Sequence, residues 1–251
     1  MAEFSGLLAV LKKGCDVKKL GLVGGIGPAS TIEYYKGINE GYQKSLANPA
    51  LCGENPPMVI DSLNLVIAYN LVEQKNWPEF ANLFIQSIRA LHNAGAEIAA
   101  ISANTAHIVF DDILSQSPIP VIGLVDETCK CAQDLACKKA VIFGTAFTMS
   151  SGMYEKKFAH YGIDAVVPNE EDQKIIHNIL FPNLAAGIVL EEDKTTILNL
   201  ARKMLAEHKA DALVLGCTEL PMVIQAGDLD TVLLDTTKIH IDAILGQILE
   251  Y

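Results

Sequence analysis

"AEIAAISANTAHIVF", residues 96–110, is the stretch on which the reading of this chain turns. Its first half, "EIAAISA", is apolar at successive positions rather than at alternate ones. A strand wet on one face alternates polar and apolar residues, whereas a strand covered by helices on both faces does not. Ser102 to Thr105 then forms a small polar cluster, and a helical pattern follows. A second stretch, "ADALVLGCTELPMVI" (210–224), has the same shape, with Cys217 where the first has Ala103.

Working outward, the likeness becomes a repeat. A shift of 114 residues lays "LHNAGAEIAAISANT" (91–105) over "LAEHKADALVLGCTE" (205–219), so that Leu91 meets Leu205 and Ala103 meets Cys217. Upstream, "LGLVGGIGPAST" (20–31) resembles "AVIFGTAFTMSS" (140–151), each a strand ending in small residues before a helix. Strands are expected over 19–25, 57–63, 97–104, 120–125, 140–145, 164–168, 212–217 and 231–235. Helices are expected over 29–45, 77–94, 126–136, 151–161, 170–187, 192–208 and 236–251. Such alternation predicts an α/β fold with parallel sheets. The two prolines of "SQSPIPV" (115–121) mark the change from one half to the other. The expected division is an extension at 1–18, a first α/β domain at 19–118 plus 229–251, and a second at 119–228.

The bulk numbers agree with a soluble globular protein. Half of the 251 residues are hydrophobic and a fifth are charged. A net charge of -11 disfavours nucleic acid and anionic membrane surfaces as partners. No apolar run reaches the roughly 18–20 residues that span a bilayer. "MAEFSGLLAVLKKGCDVKK" (1–19) reads as a short appended helix or an expression leftover rather than a signal peptide, which points to the cytoplasm. The six cysteines fit no disulfide framework. Cys129, Cys131 and Cys137 fall in "DETCKCAQDLACKKA", a helical pattern that separates neighbouring side chains, so no metal is expected there.

Ligands of parallel α/β sheets sit at the carboxyl ends of the strands. Four such ends carry small polar residues before an expected helix: 24–27, 102–105, 145–148 and 216–219. Free N–H groups there suit a carboxylate or a phosphate. "GGIGP" lacks the endings of a P-loop and of a dinucleotide fingerprint. Cys217 at a strand end reads as a base or nucleophile with a lowered pKa; the alternative is a buried structural cysteine. His107 reads as bonding its own strand–helix junction or as an acid/base group, and His240 as an acid/base candidate. Glu219 reads as orienting the thiol or as capping a helix. Asn104, Thr105 and Thr218 read as ligand hydrogen-bonders or as plain caps.

Taken together, "GLVGGIGPASTIEYY" (21–35), "ANTAH" (103–107), "GTAFTMSSGMYEKKFAHYG" (144–162), "GCTELP" (216–221) and "LLDTTKIHIDA" (233–243) resemble the aspartate/glutamate racemase family, which works without pyridoxal phosphate. The resemblance implies two pseudo-symmetric α/β domains, each a parallel sheet flanked by helices. It places the active site in the cleft between them and implies a homodimer that needs no cofactor. It implies an acidic amino acid as substrate, aspartate or glutamate, whose α-proton is removed by one thiolate and replaced by a thiol on the opposite face. Substrate carboxylates fall to Gly25, Ile26, Gly27, Asn104, Thr105, Thr148 and Thr218. The catalytic pair falls on Cys217 and on position 103.

Position 103 is alanine, which has no proton to exchange. Three accounts follow. The residue is an engineered replacement that traps substrate; or another donor acts, Thr105 or a bound water; or the chemistry is one-sided, as in the related single-cysteine arylmalonate decarboxylases. A catalytically silent amino-acid binding protein is a further alternative. Aspartate-specific relatives also carry an arginine after the third strand and a lysine on a later helix. Here the corresponding stretches, "SLNLVIAYN" (62–70) and "FPNLAAG" (181–187), hold no cation.

Overall fold

The computed structural model describes residues 17–46, 54–181 and 183–249. Cys15, Cys52 and the appended helix expected within 1–18 lie outside the described residues, apart from residues 17 and 18, which are not helical. Among the described residues the strands form two four-stranded sheets. The first takes β1 (Leu20–Gly24), β2 (Met58–Ser62), β3 (Ile98–Ile101) and β4 (Val121–Ile122) in the order β2-β1-β3-β4. The second takes β5 (Lys139–Gly144), β6 (Asp164–Val166), β7 (Ala212–Gly216) and β8 (Val232–Asp235) in the order β6-β5-β7-β8. Every pairing is parallel, and the second order repeats the first.

Strand side chains alternate between two apolar layers, as the pleat requires. In the first sheet Val23, Ala99 and Ile101 enter one layer, while Leu20, Leu22, Ile98 and Ala100 enter the other. In the second, Val141, Phe143, Leu213 and Leu215 enter one layer and Ala140, Ile142, Ala212 and Val214 the other. Helices supply the facing surfaces. α1 (Pro28–Ser45) and α10 (Thr236–Ile248) cover one side of the first sheet, and α2 (Leu65–Glu73) with α3 (Trp77–Asn93) covers the other. On α3 the buried residues Phe80, Phe84, Ile88 and Leu91 fall on one face at helical spacing. Each such side chain contributes roughly 1.5–3 kcal/mol when fully buried. α8 (Glu170–Leu180) and α9 (Glu191–His208) cover one side of the second sheet; α5 (Leu124–Asp134) and α7 (Met153–His160) cover the other. Cys129 and Cys137 are buried in this last layer as small apolar residues, and burial pushes the Cys129 thiol up to about 12.

The repeat seen in the sequence is a repeat of hydrogen bonds. The Lys19 amide donates to the Glu97 carboxylate at 2.9 Å, and the Glu97 amide donates to the Lys19 carbonyl at 2.9 Å. The Lys139 amide donates to the Asp211 carboxylate at 3.1 Å, and the Asp211 amide returns to the Lys139 carbonyl at 3.0 Å. Glu97 and Asp211 are 114 residues apart, as are Gly95 and Lys209, which both take the left-handed conformation (φ 88° and 50°) before their strands. The last helix, α10, packs back onto α1 as expected. Gly37 and Gly41 of α1 make room for it; a Cβ on Gly37 would stand 2.7 Å from Ile241 Cδ1.

Several expected boundaries shift. β3 stops at Ile101, because the chain turns at Ser102, whose amide bonds the Val23 carbonyl. The helix expected over 151–161 is α7, which starts at Met153 after Gly152 at φ 71°; a separate short helix, α6 (Ala146–Ser150), precedes it. The helix expected over 170–187 ends at Leu180, ahead of the proline at 182, and a single 3-10 turn (Leu184–Ala186) follows. The division expected at 118/119 and 228/229 falls short of two strands. β4 pairs with β3 and β8 with β7, so the chain leaves the first sheet after Ile122 and returns after Asp235. Among the described residues no helix is long and apolar enough to cross a membrane.

Candidate active site

A cavity of about 330 Å³ opens between the carboxyl ends of the two sheets. Both repeated stretches reach it: Ala103, Asn104 and Thr105 from the turn after β3, and Cys217, Thr218 and Glu219 from the turn after β7. Ile26 and Gly27, at the start of α1, also border it. Gly25 does not. It sits at φ 85°, its amide donates to Thr31 Oγ1 at 2.8 Å, and an added Cβ would run into the Leu63 backbone. Thr148 is fully buried and does not border the cavity either; Thr145 does, and the Thr148 amide bonds the Thr145 hydroxyl at 3.2 Å.

The helices expected after β3 and β7 are short 3-10 turns, Thr105–Val109 and Leu220–Met222. In the first case α4 (Phe110–Gln116) follows. A single turn has little dipole, and this alters the state of the cysteine. The Cys217 thiol donates to Glu219 Oε2 at 2.7 Å, and the Thr218 hydroxyl donates to the same oxygen at 2.9 Å. Burial of the sulfur, then the negative charge of Glu219 and the hydrogen bond to it, hold the thiol well above its ordinary range. The Thr218 and Glu219 amides, aimed at the sulfur, offset only part of this. The lowered pKa expected for Cys217 is therefore corrected: the sulfur rests protonated. Because Thr218 gives its proton to Glu219, Ser30 donates to Thr218 (2.6 Å), which ties the first turn of α1 to the turn after β7.

Asn104 is drawn into the scaffold. Its carbonyl oxygen accepts from Tyr154 Oη at 2.5 Å and its amide donates to Thr236 Oγ1 at 3.1 Å. Those partners stand on α7 and α10, so the side chain expected to hold ligand instead joins the two halves. Thr105 differs, since its half-buried hydroxyl has no hydrogen-bond partner among the described residues. The Ser102 hydroxyl turns to the Val23 carbonyl at 3.2 Å.

Both candidate acid/base histidines are structural. His107 Nδ1–H donates to the Ala103 carbonyl (3.0 Å) while Nε2 accepts from the Leu124 amide (3.0 Å). His240 Nε2–H donates to the Ile122 carbonyl (3.0 Å) while Nδ1 accepts from Tyr34 Oη (2.8 Å). Burial lowers His107 to about 4 and His240 to about 3, so both rings are neutral.

The rest of the wall was not anticipated. α2 contributes Leu65, Ala68, Tyr69 and Val72, and the second half contributes Phe147, His177 and Phe181. The signal for α2 was present in Asn64, whose side chain caps the Val66 amide at 2.9 Å. His177 Nδ1 accepts from the Ala146 amide at 3.4 Å, and burial lowers its pKa against a smaller opposing pull from Glu73. Among the described residues no group of three or more His, Cys, Asp or Glu side chains converges as a metal site.

This arrangement of two duplicated α/β units has counterparts among known proteins. A family model described as Asp/Glu/Hydantoin racemase matches residues 23–244. The "Broad specificity amino-acid racemase RacX" of Bacillus subtilis is 24% identical over 205 residues, covering 82% of this chain and 87% of the relative. Two crystal structures superpose over 93% of this chain and 100% of their own: a proposed Asp/Glu racemase from Yersinia pestis (28% identity, TM-score 0.85) and an aspartate racemase homologue from Pyrococcus horikoshii (30% identity, TM-score 0.81).

Proposed function

The chain belongs to the Asp/Glu/Hydantoin racemase family and is an isomerase of that kind; on this premise we propose that it moves the α-proton of an amino acid with Cys217 as its one acid/base thiol. The observation that carries the proposal is the Cys217–Glu219 hydrogen bond on a cavity whose facing turn holds Ala103. At rest the sulfur carries its proton. A bound amino acid brings an α-ammonium, which beside Glu219 neutralises the charge that holds the thiol protonated. The thiol proton leaves to solvent water, and the thiolate takes the α-proton, forming S–H and a carbanion. Once that S–H has exchanged with solvent, return of its proton from the same sulfur gives exchange with retention. Inversion needs a donor on the far face, where Ala103 has none and the Thr105 hydroxyl or a water must act. The substrate carboxylate takes the Thr105 hydroxyl and the backbone amides at Ile26 and Gly27. The proposal includes a homodimer; light scattering at the mass of two chains checks it.

A second reading rests on the resting state itself. A protonated thiol with no partner thiol opposite suits one-sided protonation of a carbanion, as a single-cysteine decarboxylase requires. One experiment separates the two. The protein and Ala103→Cys are incubated in D2O with L- and D-amino acids, and deuterium uptake and handedness are followed. Exchange without inversion, becoming inversion in Ala103→Cys, supports the racemase. No exchange in either, together with turnover of a malonate-type acid, supports the decarboxylase. Cys217→Ser abolishes either activity; full activity in that variant refutes both.

A further inference from the structure

The racemase reading leaves the substrate side chain open, and the charges around the cavity restrict it. Among the described residues no lysine or arginine borders the cavity. The imidazole there, His177, has its Nδ1 turned to the Ala146 amide as an acceptor and offers no cation. The carboxylate there is Glu219, already the acceptor for Cys217 and Thr218. An α-ammonium answers Glu219, and an α-carboxylate answers the free Thr105 hydroxyl and the backbone amides at Ile26 and Gly27. The Thr237 hydroxyl and the His177 Nε2–H also reach the cavity, but both are neutral.

Most of the remaining wall is apolar and comes from both halves. Leu65, Tyr69, Val72 and Phe80 line one side, and Phe147 and Phe181 the other. Tyr69 and Phe147 meet edge to face across the gap, with ring centroids 5.7 Å apart. Leu65, Tyr69 and Phe181 remain 39%, 47% and 43% exposed, which is uncovered apolar surface at the mouth of a polar site. A second carboxylate placed there would lose its water with no counter-ion and would add to the charge of Glu219. A second ammonium would likewise find no free anion among the lining residues.

We propose that the substrate is a zwitterionic amino acid with a neutral apolar or aromatic side chain, seated between α2 and the end of α8, and not an acidic one. Leucine, methionine and phenylalanine are the type. The α-carbon chemistry rests on the racemase reading; the binding preference does not.

The test is calorimetric titration of the full chain with both hands of leucine, phenylalanine, aspartate, glutamate and lysine, beside D2O exchange by Ala103→Cys. Leucine or phenylalanine should bind at least tenfold more tightly than the three charged amino acids. Leu65→Arg, which sets a cation at the exposed start of α2, should tighten aspartate at least tenfold and weaken phenylalanine. Equal or tighter binding of a charged amino acid, binding of none of the five, or an unchanged ratio in Leu65→Arg overturns the proposal. If apolar amino acids bind and none exchanges in Ala103→Cys, the racemase reading fails and the substrate class stands. If only acidic ones exchange, the substrate class fails and the racemase reading stands.

Discussion

The two buried histidines make this protein sensitive to mild acid. His107 and His240 lie with ring centroids 6.3 Å apart, both neutral, and each holds a backbone group of the junction under the Ala103 turn. Their ordinary pKa of 6.5 falls to about 4 and about 3 in the fold, chiefly through burial, and for His240 also through repulsion from His107. The unfolded chain therefore takes up protons below pH 6.5 while the folded chain takes up none until near pH 4. Stability is complete above that range and is lost as pH falls through it. From pH 7.5 to 5.0 each ring contributes a loss of about 2 kcal/mol, at 1.36 kcal/mol per unit of pKa difference, or about 4 kcal/mol for the pair. For a chain of this size that is a fall in Tm of roughly 10 °C. Calorimetry across this range measures it. His240→Gln keeps an acceptor for Tyr34 and a donor for Ile122 but cannot titrate, so its fall should be about half that of the parent. A Tm that stays flat from pH 7.5 to 5.0, or an equal fall in His240→Gln, would refute the reasoning.

Three further outcomes are expected. Glu219→Gln removes the charge that opposes ionisation of Cys217, so alkylation of that thiol by iodoacetamide should set in at lower pH than in the parent; an unchanged or higher onset counts against the assignment. Tyr154→Phe strands the buried Asn104 carbonyl oxygen and should lower stability by about 1–3 kcal/mol in denaturant titration, with a larger effect on the junction of the halves than on either sheet as read by amide exchange. Lys209→Gly relieves a left-handed lysine at the C-terminus of α9 and should raise stability by about 0.5 kcal/mol; a loss of that size would mean the turn is not under strain.

The sequence by itself determined the architecture. Continuous apolar strands such as "IAAI" and "ALVLG" require cover on both faces, and their spacing at 114 residues required two like halves. It also put Ala103 and Cys217 at equivalent carboxyl ends, one in each sheet. Tertiary structure decided the rest. Cys217 looked like a lowered thiol because a strand end before a helix lowers pKa, but Pro221 lies in a single 3-10 turn and Glu219 folds back on the sulfur. Asn104 looked like a ligand group until Tyr154 and Thr236, 50 and 132 residues onward, took both ends of its amide. His107 and His240 read as acid/base candidates until burial set their charge. The apolar wall from α2 and α8 is formed by residues more than 100 positions apart, so no local pattern could reveal that they face each other. Backbone periodicity is a local property that a chain carries in its own order. Charge state and cavity chemistry are sums over neighbours, and those neighbours are chosen only when the two halves close.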